Sequence, residues 1–138
     1  MSFKDQMEAE KIRIQKLMHD TYIGSCITLC DAIIDETPID TGALKGAWHT
    51  STNQQYITDE NPRITDSQAN IPKDEVRLVF NTVKLAVPVF FTNGMSYSEK
   101  IEFGGQEHWQ KPNGMVWVTM QRWPAIVAKF WSGTGRTH

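Results

Sequence analysis

The sequence has few cysteines and no long hydrophobic run. Its 138 residues include two cysteines, Cys26 and Cys30, and an i,i+4 pair without further nearby ligands matches neither a zinc site nor a CxxC redox motif. The longest apolar run, residues 85–91, has seven residues and contains a proline, whereas a membrane-spanning helix needs about 20 apolar residues. The N-terminus is polar and lacks a signal-peptide core. We therefore expect a protein that folds inside the cell and has no membrane segment.

A large excess of charge of either sign is also missing. The chain has 14 basic and 16 acidic residues, with 40% hydrophobic residues, which favours a globular protein over a disordered chain or a dedicated nucleic-acid binder. The charge is nevertheless uneven, because residues 1–75 have 7 basic and 13 acidic groups while residues 76–138 have 7 and 3. This asymmetry either arises by chance or gives two faces that attract between identical subunits in a head-to-tail ring.

Recognisable catalytic motifs are scarce. The four histidines are scattered, and neither HExxH nor GxSxG occurs. One catalytic look-alike is Asp-Thr-Gly-Ala at residues 40–43, the string of aspartic proteases, which pair two carboxylates. In those enzymes the string follows a hydrophobic strand, whereas here it follows a predicted helix that ends at Pro38. We therefore predict a protein that is not an enzyme and needs no metal or cofactor, with a homodimeric aspartic protease using Asp40 as the less favoured alternative.

The N-terminal segment predicts one long helix over residues 1–36. It contains one glycine and no proline, and its apolar residues recur every three or four positions. A helix of 33 residues is about 50 Å long, which exceeds the diameter of a domain of this size. We therefore expect part of it to project and pack on something else, or to bend at Gly24.

Shorter elements are predicted after this helix. They are a strand at residues 48–53, an extended loop at 54–74, two strands at 75–81 and 83–92 joined by a tight turn at 81–82, a short helix at 97–103, and a flexible tail at 132–138. Residues 115–131 predict a helix kinked at Pro124, or alternatively a strand at 115–120 and a helix with Pro124 in its first turn. The order predicts a single α+β domain over residues 1–138, in which a long N-terminal helix and a C-terminal helix pack on a small antiparallel sheet.

Three motifs occur in a fixed order along these elements. They are TPIDTGALKGAW at residues 37–48, TNGMSYSEKIEFG at residues 92–104 and KPNGMV at residues 111–116. Together they resemble the tail-completion proteins, also called head–tail joining or neck proteins, of long-tailed phages and related prophages. The family pattern is similar to P-(V/I)-D-T-G-x-L-x-x-S/A-W, then N-x-x-x-Y-x-x-x-(I/V)-E-x-G, then P-x-G-M-(V/L). The resemblance covers most of residues 20–131, and it departs from the pattern at Gly94-Met95-Ser96, where many relatives have a proline before the tyrosine.

The resemblance implies a structural protein of the virion tail and neck region, assembled in the host cytoplasm. Such a protein forms a sixfold ring that joins the head-completion or connector complex to the tail tube. Its partners would be further copies of itself, the head-completion or connector protein, and the tail terminator or tail tube protein, with DNA passing through the lumen without sequence specificity and no membrane contact. A tail terminator or another minor tail protein stays open as an alternative. The structural and interface positions that carry over are Pro38, Asp40, Thr41, Gly42, Leu44, Trp48, Asn93, Tyr97, Glu102, Gly104, Pro112, Gly114 and Met115.

Substitution of Asp40 distinguishes a structural turn from a protease. In a structural turn, Asp40→Asn should change the free energy of unfolding little, because asparagine caps a helix about as well as aspartate, and it should leave assembly intact. Denaturant unfolding measures the stability, and a peptide-cleavage assay at acid pH measures the alternative activity. Cleavage by the wild-type chain that disappears in the variant would contradict the structural interpretation.

Overall fold

The long N-terminal helix is present in the computed structural model, which describes residues 2–39, 42–52, 63–95, 98, 102 and 114–135. Helix α1 spans Phe3–Glu36. It begins after Ser2, whose hydroxyl accepts a hydrogen bond from the backbone N–H of Asp5 at 3.1 Å. It ends because Thr37, which precedes Pro38, adopts an extended backbone conformation.

Helices and strands alternate after α1. They are α2 (Ala43–Gly46), β1 (Trp48–Ser51), α3 (Asn70–Thr82), β2 (Phe90–Asn93), α4 (Val116–Met120) and α5 (Trp123–Gly135). Strands β1 and β2 form a two-stranded antiparallel sheet in which Trp48 lies opposite Asn93 and Ser51 opposite Phe90. The α+β class, with a long N-terminal helix and a small antiparallel sheet, is therefore confirmed.

The predicted strand at residues 75–81 is wrong, because these residues belong to α3. Val76, Leu78 and Phe80 alternate as in a strand, but Val76 and Phe80 are also four positions apart, as on one face of a helix. In the structure Val76 and Phe80 are buried and Leu78 is exposed, so the helical spacing describes the packing. Pro72 lies in the first turn of α3, where a missing N–H costs little. The predicted loop at 54–74 is therefore wrong for residues 70–74, while residues 53–62 lie outside the described part.

The predicted strand at residues 83–92 is correct only at its end. The predicted turn at 81–82 lies in the last turn of α3, and residues 84–88 are an exposed connection in which Ala86 has a φ of 75°. The strand begins at Phe90, after Pro88, and pairs with β1 rather than with residues 75–81. Because proline cannot donate to a ladder, its position before β2 is consistent with the pairing observed.

The C-terminal part consists of two helices rather than one kinked helix. Residues 115–120 are helical and not a strand, and α5 begins at Trp123 with Pro124 in its first turn, where proline is tolerated. Helix α5 continues to Gly135, so the predicted flexible tail is wrong for residues 132–135. Residues 136–138 lie outside the described part.

The core lies where the second half of α1 meets the other helices. Helix α1 packs on α5, α3 and α4, and α3 packs on β1. The buried residues that form this one hydrophobic cluster include Ile33, Ile34, Leu44, Trp48, Val76, Phe80 and Met115. Cys30 is buried in this core, and burial raises the pKa of the Cys26 thiol to about 11 and also raises that of Cys30. Both thiols are therefore protonated at neutral pH and behave as small apolar groups.

Acidic residues at the C-terminal end of α1 are paired with basic residues of the same chain. The ion pairs are Asp31–Arg77 and Asp35–Lys73, both at 2.6 Å, and Glu36–Arg122 at 2.9 Å. Negative side chains are unfavourable beside the negative end of a helix dipole, and these basic partners offset that effect. Two of these pairs, Asp31–Arg77 and Glu36–Arg122, join the acidic and the basic part of the sequence, so part of the charge asymmetry is neutralised within one chain.

The first half of α1 projects from the core, as its length predicts. Residues 2–16 are exposed, and Leu17 is the first buried residue of the helix. At 1.5 Å per residue, the projecting part is about 24 Å long. The second half of the helix is therefore held by tertiary packing and the first half is not.

Gly24 allows α1 to approach α5 closely, because a Cβ at this position would collide with the Phe130 ring. We predict that Gly24→Ala lowers the free energy of unfolding by roughly 1–3 kcal/mol through overpacking, although alanine favours an isolated helix by about 1 kcal/mol. In a Phe130→Ala background, the same substitution should instead stabilise the protein. Urea unfolding of wild type, the two single variants and the double variant measures both effects. If Gly24→Ala raised the free energy of unfolding while Phe130 is present, the proposed overpacking would be contradicted.

Candidate interaction site formed by the three motifs

The first and second motifs meet at Asn93. This residue is the last of β2 and lies opposite Trp48 in the sheet. Its Nδ2 donates to the carbonyl oxygen of Leu44 at 2.8 Å, and its Oδ1 accepts from the N–H of Met95 at 3.1 Å. One side chain therefore fixes the turn after β2 and attaches it to α2.

Trp48 connects the first motif to the end of α1. Its Nε1–H donates to the hydroxyl of Thr37 at 2.8 Å, and that hydroxyl donates to the carbonyl oxygen of Ile33 at 2.8 Å. The indole ring stacks on Phe91 with 4.6 Å between centroids and 5° between planes. The polar atom of this buried side chain is thus satisfied while its ring packs against β2.

The second and third motifs meet at the N-terminus of α4. The Glu102 carboxylate accepts three backbone hydrogen bonds, from Met115 and Val116 at 2.7 Å and from Trp117 at 2.9 Å. These are among the N–H groups that have no partner inside a helix, and a negative charge is favourable there. Glu102 therefore caps a helix that begins 14 positions later in the sequence.

Gly114 makes room for this cap. Its φ is +78°, which favours glycine. A Cβ at this position would lie 2.6 Å from Oε2 of Glu102. The glycine of the third motif is thus required both by its backbone conformation and by the carboxylate beside it.

Arg63 and Glu75, which no sequence pattern indicates as functional residues, hold β1 from its other side. Arg63 donates to the carbonyl oxygens of Trp48 at 2.6 Å and Gly46 at 3.2 Å. Glu75 accepts from the N–H of Thr50 at 2.9 Å and pairs with Arg63 at 3.3 Å. These side chains satisfy backbone groups of β1 that would otherwise be open to another strand. Nothing local in the sequence indicates this role, because Arg63 lies in a predicted loop and Glu75 in a wrongly predicted strand.

Residues 65–67 pack against the first motif as well. Gly42 has a φ of +90°, and its carbonyl oxygen accepts from the N–H of Thr65 at 3.2 Å. Lys45 is buried and donates to the carbonyl oxygen of Ser67 at 3.4 Å, and desolvation lowers the pKa of its ammonium group. Gly42 therefore allows the backbone of the first motif to approach the backbone of Thr65 closely.

An apolar cavity of about 470 Å³ lies among the three motifs. Trp48, Asn93, Glu102 and Met115 line it from the motifs. Met120 and Trp117 of α4 also line it, and both have exposed side chains. An apolar opening with an exposed aromatic side chain is typical of a surface that binds another protein.

The structure thus brings together most of the motif residues that it describes. Leu44, Trp48, Asn93, Glu102, Gly114 and Met115 take part in the contacts above. Gly42 precedes the short helix that contains Leu44, and Pro38 follows Thr37, which Trp48 contacts. The remaining predicted positions, Asp40, Thr41, Tyr97, Gly104 and Pro112, lie outside the described residues. Chemically, the cluster holds backbone segments together through hydrogen bonds to side chains.

No family model, curated protein or solved structure matched the chain in three comparisons with known proteins. Within the described ranges, no group of three or more His, Cys, Asp or Glu residues is placed to hold a metal ion. None of the helices described here is long and apolar enough to cross a membrane.

Glu102→Ala should lower the free energy of unfolding by about 2 kcal/mol or more, because it leaves backbone donors of α4 without an acceptor. Gly114→Ala should destabilise the chain as well, through backbone strain and contact with the carboxylate. Glu8→Ala, on the exposed half of α1, is the control and should change stability by less than about 0.5 kcal/mol. Guanidinium unfolding measures all three variants, and equal stability of the Glu102 and Glu8 variants would contradict the capping role.

Proposed function

We propose that this chain is a structural protein of a long-tailed phage or prophage. In this proposal it forms a sixfold ring at the neck and joins the head-completion or connector complex to the tail tube. The observation that carries the proposal is that the three motifs meet around one cavity, where hydrogen bonds join the first motif to the second and the second to the third. Leu44 and Asn93 are 49 positions apart and Glu102 and Met115 are 13 apart, yet each pair is in contact. The presence of all three motifs in one chain is explained if their residues must fold together into one structural unit.

The surface of the chain supports an assembly role. Trp117 and Met120 are exposed beside the cavity, and the first half of α1 projects from the core. Apolar side chains in such positions are favourable when another subunit covers them. The partners in this proposal are neighbouring copies in the ring, the head-completion or connector protein above it, and the tail terminator or tail tube protein below it.

The context of the Asp-Thr-Gly string favours a structural role over the protease alternative. The preceding element is helix α1 rather than a hydrophobic strand. Gly42 begins α2 in a left-handed conformation, with its carbonyl oxygen bound to Thr65. Gly42 and Lys45 are thus used in packing against residues 65–67.

Deletion of the gene from the phage or prophage that encodes this chain tests the proposal. We expect DNA-filled heads and separate tails, because the joint between them would be missing. Electron microscopy of lysates counts joined and separate particles, and the wild-type gene supplied in trans should restore joining. Normally joined, infectious particles without the chain would contradict the proposal.

Complementation with variants then tests the exposed aromatic surface. Trp117→Glu should fold but fail to restore joining, since it places a charge in the proposed contact. Leu78→Glu is the matched control, because the two side chains are 67% and 68% exposed, and it should restore joining. Circular dichroism verifies that both variants are folded.

A further inference from the structure

The projecting half of α1 carries an exposed apolar stripe. Phe3, Met7, Ile14 and Met18 are 76%, 58%, 41% and 49% exposed. At 100° per residue, these four positions lie within an arc of about 60°. Further along α1 the same arc contains Thr21 and Ser25, which are buried. The stripe therefore continues a helix face that is covered in the core and is open to solvent beyond it.

The spacing of the stripe is symmetric about the middle of the segment. Phe3 and Met18 are equally far from the midpoint between residues 10 and 11, and so are Met7 and Ile14. If a second copy lies antiparallel across this midpoint, each Phe3 lies opposite the other copy's Met18 and each Met7 opposite its Ile14. A two-fold axis thus matches apolar residues with apolar residues along the whole stripe.

The charges of the segment favour the same orientation. Residues 5–10 contain three acidic residues and no basic ones, whereas residues 11–16 contain three basic residues and no acidic ones. An antiparallel copy places the acidic block of each helix beside the basic block of the other, while a parallel copy places like charges together. Lys4 lies just before the acidic block and faces Leu17 in this register. The charge pattern therefore selects both the partner and its direction.

Two ion pairs involving the blocks already form within the helix. Glu10 pairs with Arg13, and Lys16 pairs with Asp20, which follows the basic block; both distances are 2.6 Å. All four side chains are more than one third exposed, and surface ion pairs contribute little individually. They can therefore exchange partners when a second helix approaches.

We propose that two copies of this chain form an antiparallel dimer through residues 3–18 of α1. Each face is about 24 Å long and about 10 Å wide, so the contact buries on the order of 500 Å² in total, below the roughly 1,200 Å² at which specific, stable interfaces begin. The dimer is therefore weak and reversible. This inference does not rest on the proposed function, because a two-fold contact is not one of the head-to-tail contacts of a sixfold ring.

Sedimentation equilibrium of the full chain tests the dimer. Wild type should show a reversible monomer–dimer equilibrium, and Met7→Gln, which removes an apolar contact without changing either charged block, should dimerise far more weakly. Ile12→Gln is the matched control, because Ile12 is also 58% exposed but lies on the other side of the helix, and it should dimerise like wild type. A wild-type chain that stays monomeric, or equal loss of dimer in both variants, would overturn the proposal.

Cross-linking tests the orientation. Chains with Met7→Cys and Ile14→Cys, mixed under a mild oxidant, should form a disulfide with each other several times faster than either forms one with itself. Wild type, which contains Cys26 and Cys30, gives the background. Preferential cross-linking of the Met7→Cys chain to itself would indicate a parallel pair and overturn the proposal.

Charge reversal tests the role of the two blocks. A chain with Lys11→Glu, Arg13→Glu and Lys16→Glu should be monomeric alone, as should one with Asp5→Lys, Glu8→Lys and Glu10→Lys. Mixed together, the two chains should form a heterodimer that weakens as salt increases. Self-association of either reversed chain at wild-type affinity would show that the blocks do not direct the contact.

Discussion

The fold depends on the position of one residue, Trp48. Its indole N–H is bound to Thr37 at the end of α1, its ring stacks on Phe91 of β2, and its carbonyl oxygen accepts from Arg63. It also lines the cavity shared by the three motifs. The residue thus connects the long helix, the sheet, residues 63–67 and the third motif. Such a position tolerates little change in shape or polarity, because each neighbour satisfies a different group of the same residue.

The features that the sequence predicts correctly are those that depend on neighbouring residues. The periodicity of α1, its end before Pro38 and the short strand at Trp48 follow from residues next to one another. Helix α3 could not be distinguished from a strand because Val76 and Phe80 fit both the helical and the strand spacing, and burial against α1 and β1 decided between them. The motif residues were identified, but the roles of Arg63 and Glu75 were not. Those two residues act on backbone groups 15 or more positions away, and single-residue patterns hold no information about such contacts.

The difference in charge between residues 1–75 and residues 76–138 is partly explained by ion pairs within the folded chain. Asp31, Asp35 and Glu36 would be unfavourable at the end of an isolated helix, yet each is paired with a basic residue of α3 or of the turn before α5. These pairs couple the C-terminal end of α1 to the rest of the chain. The unequal halves of the sequence therefore reflect, in part, intramolecular packing. The charge pattern that is still exposed on α1 is the one within its first 16 residues, where acidic and basic blocks follow each other.

Symmetry links the proposed dimer to the proposed ring. A contact between identical faces closes after two copies, whereas a head-to-tail contact continues until a ring is complete. If α1 also contributes to the ring or to its partners, the dimer occupies the surface that assembly requires. An interface of only about 500 Å² is easily exchanged for a larger one, so the dimer would cover the apolar stripe of the free chain without blocking assembly. Weak affinity would then be a requirement of the contact, since a tight dimer would hold α1 away from the neck.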